Sequence, residues 1–223
     1  MCYNKNISLF AYVFGISNCI ILYVRNYKIE ALLYGYIIQM QLIEYLLWCY
    51  NDCDDTNLII TRIGIGLTHT QPIFIYYLIK YYNSNDLNKN GNEKIIDIII
   101  VIYIILLIYY LIHNKEAFNK CTIGIPNERE LNWYIHYADF KKFYYYFVFT
   151  LCILCYYALN KYKYLNAGLL LISFIISYIK YLDVKSVGTI WCLLASSIPF
   201  ILNIIYYIDE KNNELFNNKE NKI

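Results

Sequence analysis

Apolar and polar positions alternate along this chain in long blocks. Seven stretches, at about 7–24, 31–49, 58–79, 95–112, 143–159, 164–182 and 187–208, are dominated by Ile, Leu, Val, Phe and Tyr. Each is close to the roughly 20 residues that an α-helix needs to cross the hydrocarbon of a bilayer. Short polar segments separate them: Arg25 with Lys28, the acidic turn of Asp52, Asp54 and Asp55, and the Asn- and Lys-rich stretch 83–93. The pattern predicts an all-α protein, a polytopic transmembrane helix bundle of about seven spans, in one domain over 1–208. A polar tail, expected to be disordered, follows at 209–223. Six or eight spans remain open, because the third stretch could be re-entrant and the fifth and sixth are short.

The longest connection runs over 113–142. Pro126-Asn127 marks a turn within it, and Glu128-Arg129-Glu130 is charged. Leu131, Trp133, Tyr134 and Ile135 are expected to form a short helix lying in the membrane interface. The first apolar stretch is read as a retained span, because no small-residue cleavage site closes it.

Composition agrees with this pattern. Of 223 residues, 59% are hydrophobic and 16% charged, too little charge to cover a soluble surface of this size. The net charge of +2 is spread along the chain, so nucleic acid is not an expected partner. The bilayer is, and a homo-oligomer stays open. Tyr is abundant, at 28 residues, and is discounted as a functional signal because the whole composition is biased toward Ile, Asn, Lys and Tyr. Lys and Arg are nearly balanced between the two sides of a seven-span arrangement, so charge does not orient it.

The eight cysteines do not read as a disulfide scaffold. Cys19, Cys152, Cys155 and Cys192 lie in apolar runs, where Cys packs as a small hydrophobe. The Cys152/Cys155 pair has no second pair to complete a zinc site. Cys53 and Cys121 fall in connections on one side of the bundle, which makes a disulfide between them feasible. No cofactor or metal is expected, and no familiar catalytic motif is present.

Candidate chemistry is confined to polar residues inside the spans. Gln41, Glu44, Tyr45 and Trp48 share one face of the second span. Glu44 is the one acid placed deep in a span, where an ionised carboxylate costs a few kcal/mol. It must therefore face other helices or water. The third span carries Thr68, His69, Thr70, Gln71 and Pro72 in succession. Pro72 cannot donate to the carbonyl of Thr68, so a local polar cavity is expected there. The seventh span repeats the device with Gly188, Cys192, Ser196, Pro199 and Asn203 on one face, and Trp191 one turn from its start.

The expected binding residues are Glu44, Gln41, Trp48, His69, Gln71, Pro72, Trp191 and Ser196, with no catalytic residue assigned. The plainer reading stands beside this: such groups also serve as hydrogen-bonding glue between helices, and Trp48 and Trp191 as interface anchors. Three functions follow. A site between spans two, three and seven binds or passes a small polar solute, ion or proton. Alternatively the chain is a membrane scaffold or assembly protein. The third reading, weakest for want of a nucleophile, is a lipid-modifying enzyme using Glu44 and His69 as acid and base.

Four short segments, Glu44-Tyr45-Leu46-Leu47-Trp48, Gln71-Pro72-Ile73, Trp133 and Thr189-Ile190-Trp191-Cys192, resemble an uncharacterised family of multi-pass membrane proteins from giant DNA viruses. The resemblance implies a viral protein in a host-derived or virion membrane. It assigns no substrate and carries over no catalytic residues.

Overall fold

The computed structural model describes residues 4–90, 93–124, 131–132, 141–158, 162–180 and 184–220, with the backbone alone at 83–90, 117, 132, 141–142, 144, 180, 184–190 and 214–220. The expected turn at Pro126-Asn127, the charged residues 128–130, Trp133 to Ile135 and Asp183 lie outside these.

Among the described residues there are seven α-helices: α1 (Lys5–Val24), α2 (Lys28–Cys49), α3 (Asp55–Asn90), α4 (Glu93–His113), α5 (Lys141–Ala158), α6 (Lys163–Lys180) and α7 (Val184–Glu220). Four of them are long and apolar enough to cross a bilayer, over Lys5–Val24, Asp55–Tyr82, Glu93–His113 and Trp191–Asn213. The apolar segments of α5 and α6 are shorter. Helix α2 is not among the four, because Glu30, Gln39, Gln41 and Glu44 interrupt its apolar surface.

Local chemistry sets the helix ends. The Asn4 side chain accepts from the N–H groups of Asn6 and Ile7 at 3.0 and 3.1 Å and so caps α1. At the other end Asn26 takes a left-handed conformation, φ 68°, and the Tyr27 N–H reaches the Leu22 carbonyl at 2.9 Å. That closure, with Asn in the position Gly usually fills, joins α1 to α2 in three residues. Asp54 caps α3 by accepting from the Asn57 N–H at 2.8 Å.

Two helices outrun their apolar parts. The expected solvated loop over 83–93 is instead helical as far as Asn90, since no Gly or Pro interrupts the chain between Pro72 and Gly91. Likewise α7 does not stop near Ile208 but continues to Glu220, again with no breaker after Pro199. Pro72 and Pro199 both lie inside continuous helices, so α3 is one uninterrupted helix and not a re-entrant pair.

Packing alternates the helices end for end. Helix α2 touches α1, α3 and α7; α5 lies between α3 and α6, and α4 packs on α3 and α5. Gly15 permits the closest approach. A Cβ there would stand 2.8 Å from Ile38 Cδ1 of α2 and 3.1 Å from the Ser196 carbonyl of α7, which is why only a glycine allows α1 to nest against both.

One end of the bundle is closed by the connection after α4. A 3-10 turn (Lys115–Asn119) leads to a two-residue antiparallel pairing of β1 (Ile123–Gly124) with β2 (Leu131–Asn132). The expected interfacial helix therefore does not begin at Leu131, which is buried in strand pairing. Cys53 and Cys121 are joined in a disulfide, with Cα atoms 5.5 Å apart and a sequence separation of 68. Asn57 ties the same end together. Its amide donates to the carbonyls of Tyr50 at 2.6 Å and Thr122 at 2.8 Å. Arg62, placed in the third span by its sequence position, instead clamps this connection. It donates to the Phe118 carbonyl and to Asn119 Oδ1, both at 3.0 Å.

Two outcomes test this frame. Gly15→Val is expected to destabilise the protein by about 1–3 kcal/mol through overpacking, seen as a lower midpoint of thermal unfolding in detergent. Cys53→Ser should cost about 2–4 kcal/mol, because it releases a long loop in the unfolded chain. An unchanged midpoint in a non-reducing buffer would contradict the second.

Candidate functional site

The bundle is apolar on its exterior as well as through most of its core. Its exterior carries Phe10, Val13, Ile59, Ile98, Ile105, Phe149, Ile172 and Ile176, all between 51% and 69% exposed except Ile176 at 48%. Its interior holds Gln41, Glu44, His69, Gln71, Asn166, Ser196 and Asn203. Contiguous exposed apolar surface on this scale is what lipid covers.

The polar interior is organised by α2. Glu30, Tyr34, Ile37, Gln41 and Glu44 recur every three or four residues and so form a single stripe. All five are buried, Glu30 to 7% exposure and Glu44 to 1%. Near mid-helix, the Gln41 amide donates to Glu44 Oε2 at 3.2 Å. The Glu44 carboxyl also lies within electrostatic range of the Cys192 thiol on α7.

At the other end of the stripe, Tyr206 of α7 donates to Glu30 Oε1 at 3.0 Å. Tyr34 donates to Asn166 Oδ1 of α6 at 2.9 Å. Around them, Asn203 donates to the carbonyl and side-chain oxygens of Asn18 on α1, at 3.0 and 3.2 Å. Arg25 bridges the Asn203 carbonyl at 2.9 Å and Glu210 Oε2 at 2.7 Å, and Tyr27 donates to Glu210 Oε1 at 2.8 Å. This layer joins α1, α2, α6 and α7.

The other expected site residues are distributed around this stripe. His69 faces α4 and α5, where the rings of Tyr110, Phe143 and Phe147 stand 5.4, 5.6 and 6.2 Å away. Its carbonyl accepts from the Tyr103 hydroxyl at 2.8 Å. The α2-facing side of α3 is marked instead by Thr68, which bonds Met40 Sδ at 3.2 Å, and by Thr70, which bonds Tyr36 at 2.7 Å. Gln71 and Pro72 are both buried.

Trp191 turns toward α6, donating to Ser173 Oγ at 2.9 Å, and its ring meets Phe147 and Phe174 edge-on. Phe147 thus stands between Trp191 and His69. Ser196 bonds back to the Leu193 carbonyl of its own helix at 2.6 Å. Trp48 belongs to the disulfide end, packed against Gly124; its buried Nε1 has no hydrogen-bond partner among the described residues. The side chain of Thr189 lies outside the described residues.

Glu44 and Gln41 are therefore hydrogen-bonded with the Cys192 thiol within electrostatic range, while His69, Trp191 and Ser196 find other described partners. The residues that sequence reasoning missed are Glu30, Tyr34, Asn166 and Tyr206. Their signal was present as the continuation of the Gln41/Glu44 spacing back toward Glu30. Among the described residues no group of three or more His, Cys, Asp or Glu side chains is placed to hold a metal ion.

The fold and this lining define the class: a helical bundle with four helices long and apolar enough to cross a membrane and polar side chains buried between its helices. Comparison with known proteins adds no family. The chain matches no family model, no curated protein and no solved structure.

Tyr206→Phe is expected to cost about 1–3 kcal/mol, because it leaves the buried Glu30 carboxyl without that donor. Chemical denaturation in detergent measures the loss. A variant as stable as wild type would mean that the bond carries no net weight.

Proposed function

We propose that the chain crosses the bilayer seven times and that the seam between α2 and α7 binds and passes a proton or a small polar solute. Glu44 is the central acid-bearing group, and Gln41 and Cys192 are its neighbours. The observation that carries the reading is the pair of buried carboxyls on one face of one helix. Glu30 and Glu44 are 14 residues apart, about 21 Å along a helix, which covers most of a hydrocarbon core about 30 Å thick.

A bundle held together by Ser, Thr and Asn alone has no need of two acids in so costly a place. Tyr34 and Gln41 extend the polar line from either end, and Ile37 separates them. Transfer along the seam requires that the Ile37 segment hydrate, so the reading implies a gate at that level.

A specific observation favours the scaffold reading as the alternative. The Tyr206–Glu30, Tyr34–Asn166 and Asn203–Asn18 bonds each fasten one helix to another, as assembly glue would. The acid–base enzyme reading draws less support, since the described contacts of His69 lie with α4 and α5 and those of Glu44 with α2 and α7. A place in a viral or host membrane remains part of the proposal on the strength of the short motifs in α2, α3 and α7.

Protein reconstituted in liposomes, read with pH- and ion-sensitive dyes, separates the two main readings. Wild type is expected to dissipate an imposed gradient above empty-liposome background, and Glu44→Gln to lower that rate at least about tenfold, the scale of losing a group worth more than 1.4 kcal/mol to the transfer barrier. Background-level flux in both proteins would remove the transport reading and leave the scaffold.

A further inference from the structure

A groove of about 610 Å³ runs along the outside of α5 between α4 and α6. Ile95 and Ile99 of α4, Val148, Cys152 and Tyr156 of α5, and Leu171 of α6 line it. Its volume falls within the range of small-molecule sites, about 300–1,000 Å³. It extends from Tyr145 to Tyr156 on α5, about 16 Å at helical rise, close to half of a hydrocarbon core about 30 Å thick. The groove has the length of one leaflet.

One end of this groove is polar and cationic. Lys163 Nζ stands 4.9 Å from the centre of the Tyr156 ring and 5.6 Å from that of Tyr164. The two tyrosine hydroxyls are 3.3 Å apart. This presents one ammonium and two hydroxyls at the start of α6, where the apolar lining stops. The acids of neighbouring α4 do not oppose it: Glu93 and Asp97 are held by Lys80 of α3 at 2.6 and 2.8 Å.

The disulfide indicates which leaflet this is. Cys53 and Cys121 lie at the opposite end of the bundle from Lys163, and a structural disulfide persists in an oxidising compartment. The Lys163 end then faces the cytosol, whose leaflet carries the anionic phospholipids.

We propose that the α4–α5–α6 groove is a binding site for an anionic phospholipid of the cytosolic leaflet, with one acyl chain along α5 and its phosphate at Lys163, Tyr156 and Tyr164. The assignment of leaflet rests on the seven-crossing reading, whereas it is independent of any flux through the α2–α7 seam. Chain burial supplies the site's depth, and the ammonium selects the headgroup. The Tyr164 hydroxyl, which accepts from Tyr156, keeps its own proton to donate to a phosphate oxygen.

Native mass spectrometry of the detergent-purified full chain tests this, with phosphatidylglycerol, phosphatidylcholine and inorganic phosphate as separate additions. Wild type is expected to retain phosphatidylglycerol about fivefold over phosphatidylcholine, the preference that one interfacial lysine exerts, and to ignore inorganic phosphate. Lys163→Gln should abolish the preference, and Ala167→Trp, which fills the groove, should reduce retention of both lipids.

Thermal shifts of wild type with each addition provide a second readout that needs no variant, and only phosphatidylglycerol is expected to raise the midpoint markedly. Equal retention and equal shifts with the two lipids would overturn the headgroup assignment. Unchanged retention in a folded Ala167→Trp protein would overturn the groove. A shift with inorganic phosphate alone would mean an anion site without the chain.

Discussion

Carboxyl groups inside a membrane bundle constrain everything around them. Glu30 and Glu44 lie on one stripe of α2, and neither tolerates lipid. Helix α2 must therefore be enclosed, and α1, α3 and α7 pack against it. Those neighbours can then present Ile, Phe and Val outward, because the polar surface they would otherwise need is already hidden. The helix with two buried acids sits inside and the most apolar, α4, lies at the edge with most of its isoleucines exposed. Association in lipid draws little on the hydrophobic effect, so close approach and interhelical hydrogen bonds must supply the rest.

Two different devices hold the two ends. At one end the Arg25–Asn203–Glu210 contacts, the Tyr206–Glu30 bond and the Tyr34–Asn166 bond link α1, α2, α6 and α7 through hydrogen bonds. At the other, a covalent bridge and the amide of Asn57 fix the connection after α4 across the start of α3. The middle of the bundle is joined by single interhelical bonds, Tyr36–Thr70, Tyr103–His69 and Trp191–Ser173. It is filled by rings, with Phe147 touching both His69 and Trp191, and by the Gln41–Glu44 pair.

The all-α architecture is legible in the sequence because apolar runs of spanning length have one cheap solution in lipid. The interior is legible only in part. Gln41 and Glu44 announce themselves, since polar groups in an apolar run are conspicuous. Tyr34 and Tyr206 do not, because in a chain so rich in tyrosine each looks like one more interfacial ring. Glu30 reads as the charged edge of a span and becomes part of the interior only when α7 is laid over it. His69 and Pro72 draw attention for sound chemical reasons, yet the direction a side chain takes depends on which neighbour covers its face. Periodicity along one helix does not contain that. The extensions of α3 to Asn90 and α7 to Glu220 were hidden for another reason: polar residues compatible with helix look the same as loop when only hydropathy is considered.

The Cys53–Cys121 bridge also bears on the order in which the protein is built. It encloses only α3 and α4, both made before α5 emerges from the ribosome. Oxidation can therefore tie the ends of the α3–α4 pair together while the last three helices are still being synthesised. Those helices then assemble onto a partner whose crossing directions are already fixed by a covalent ring. Final assembly becomes the docking of α5, α6 and α7 against the helices already made, and α7 arrives last to cover Glu30 and Glu44.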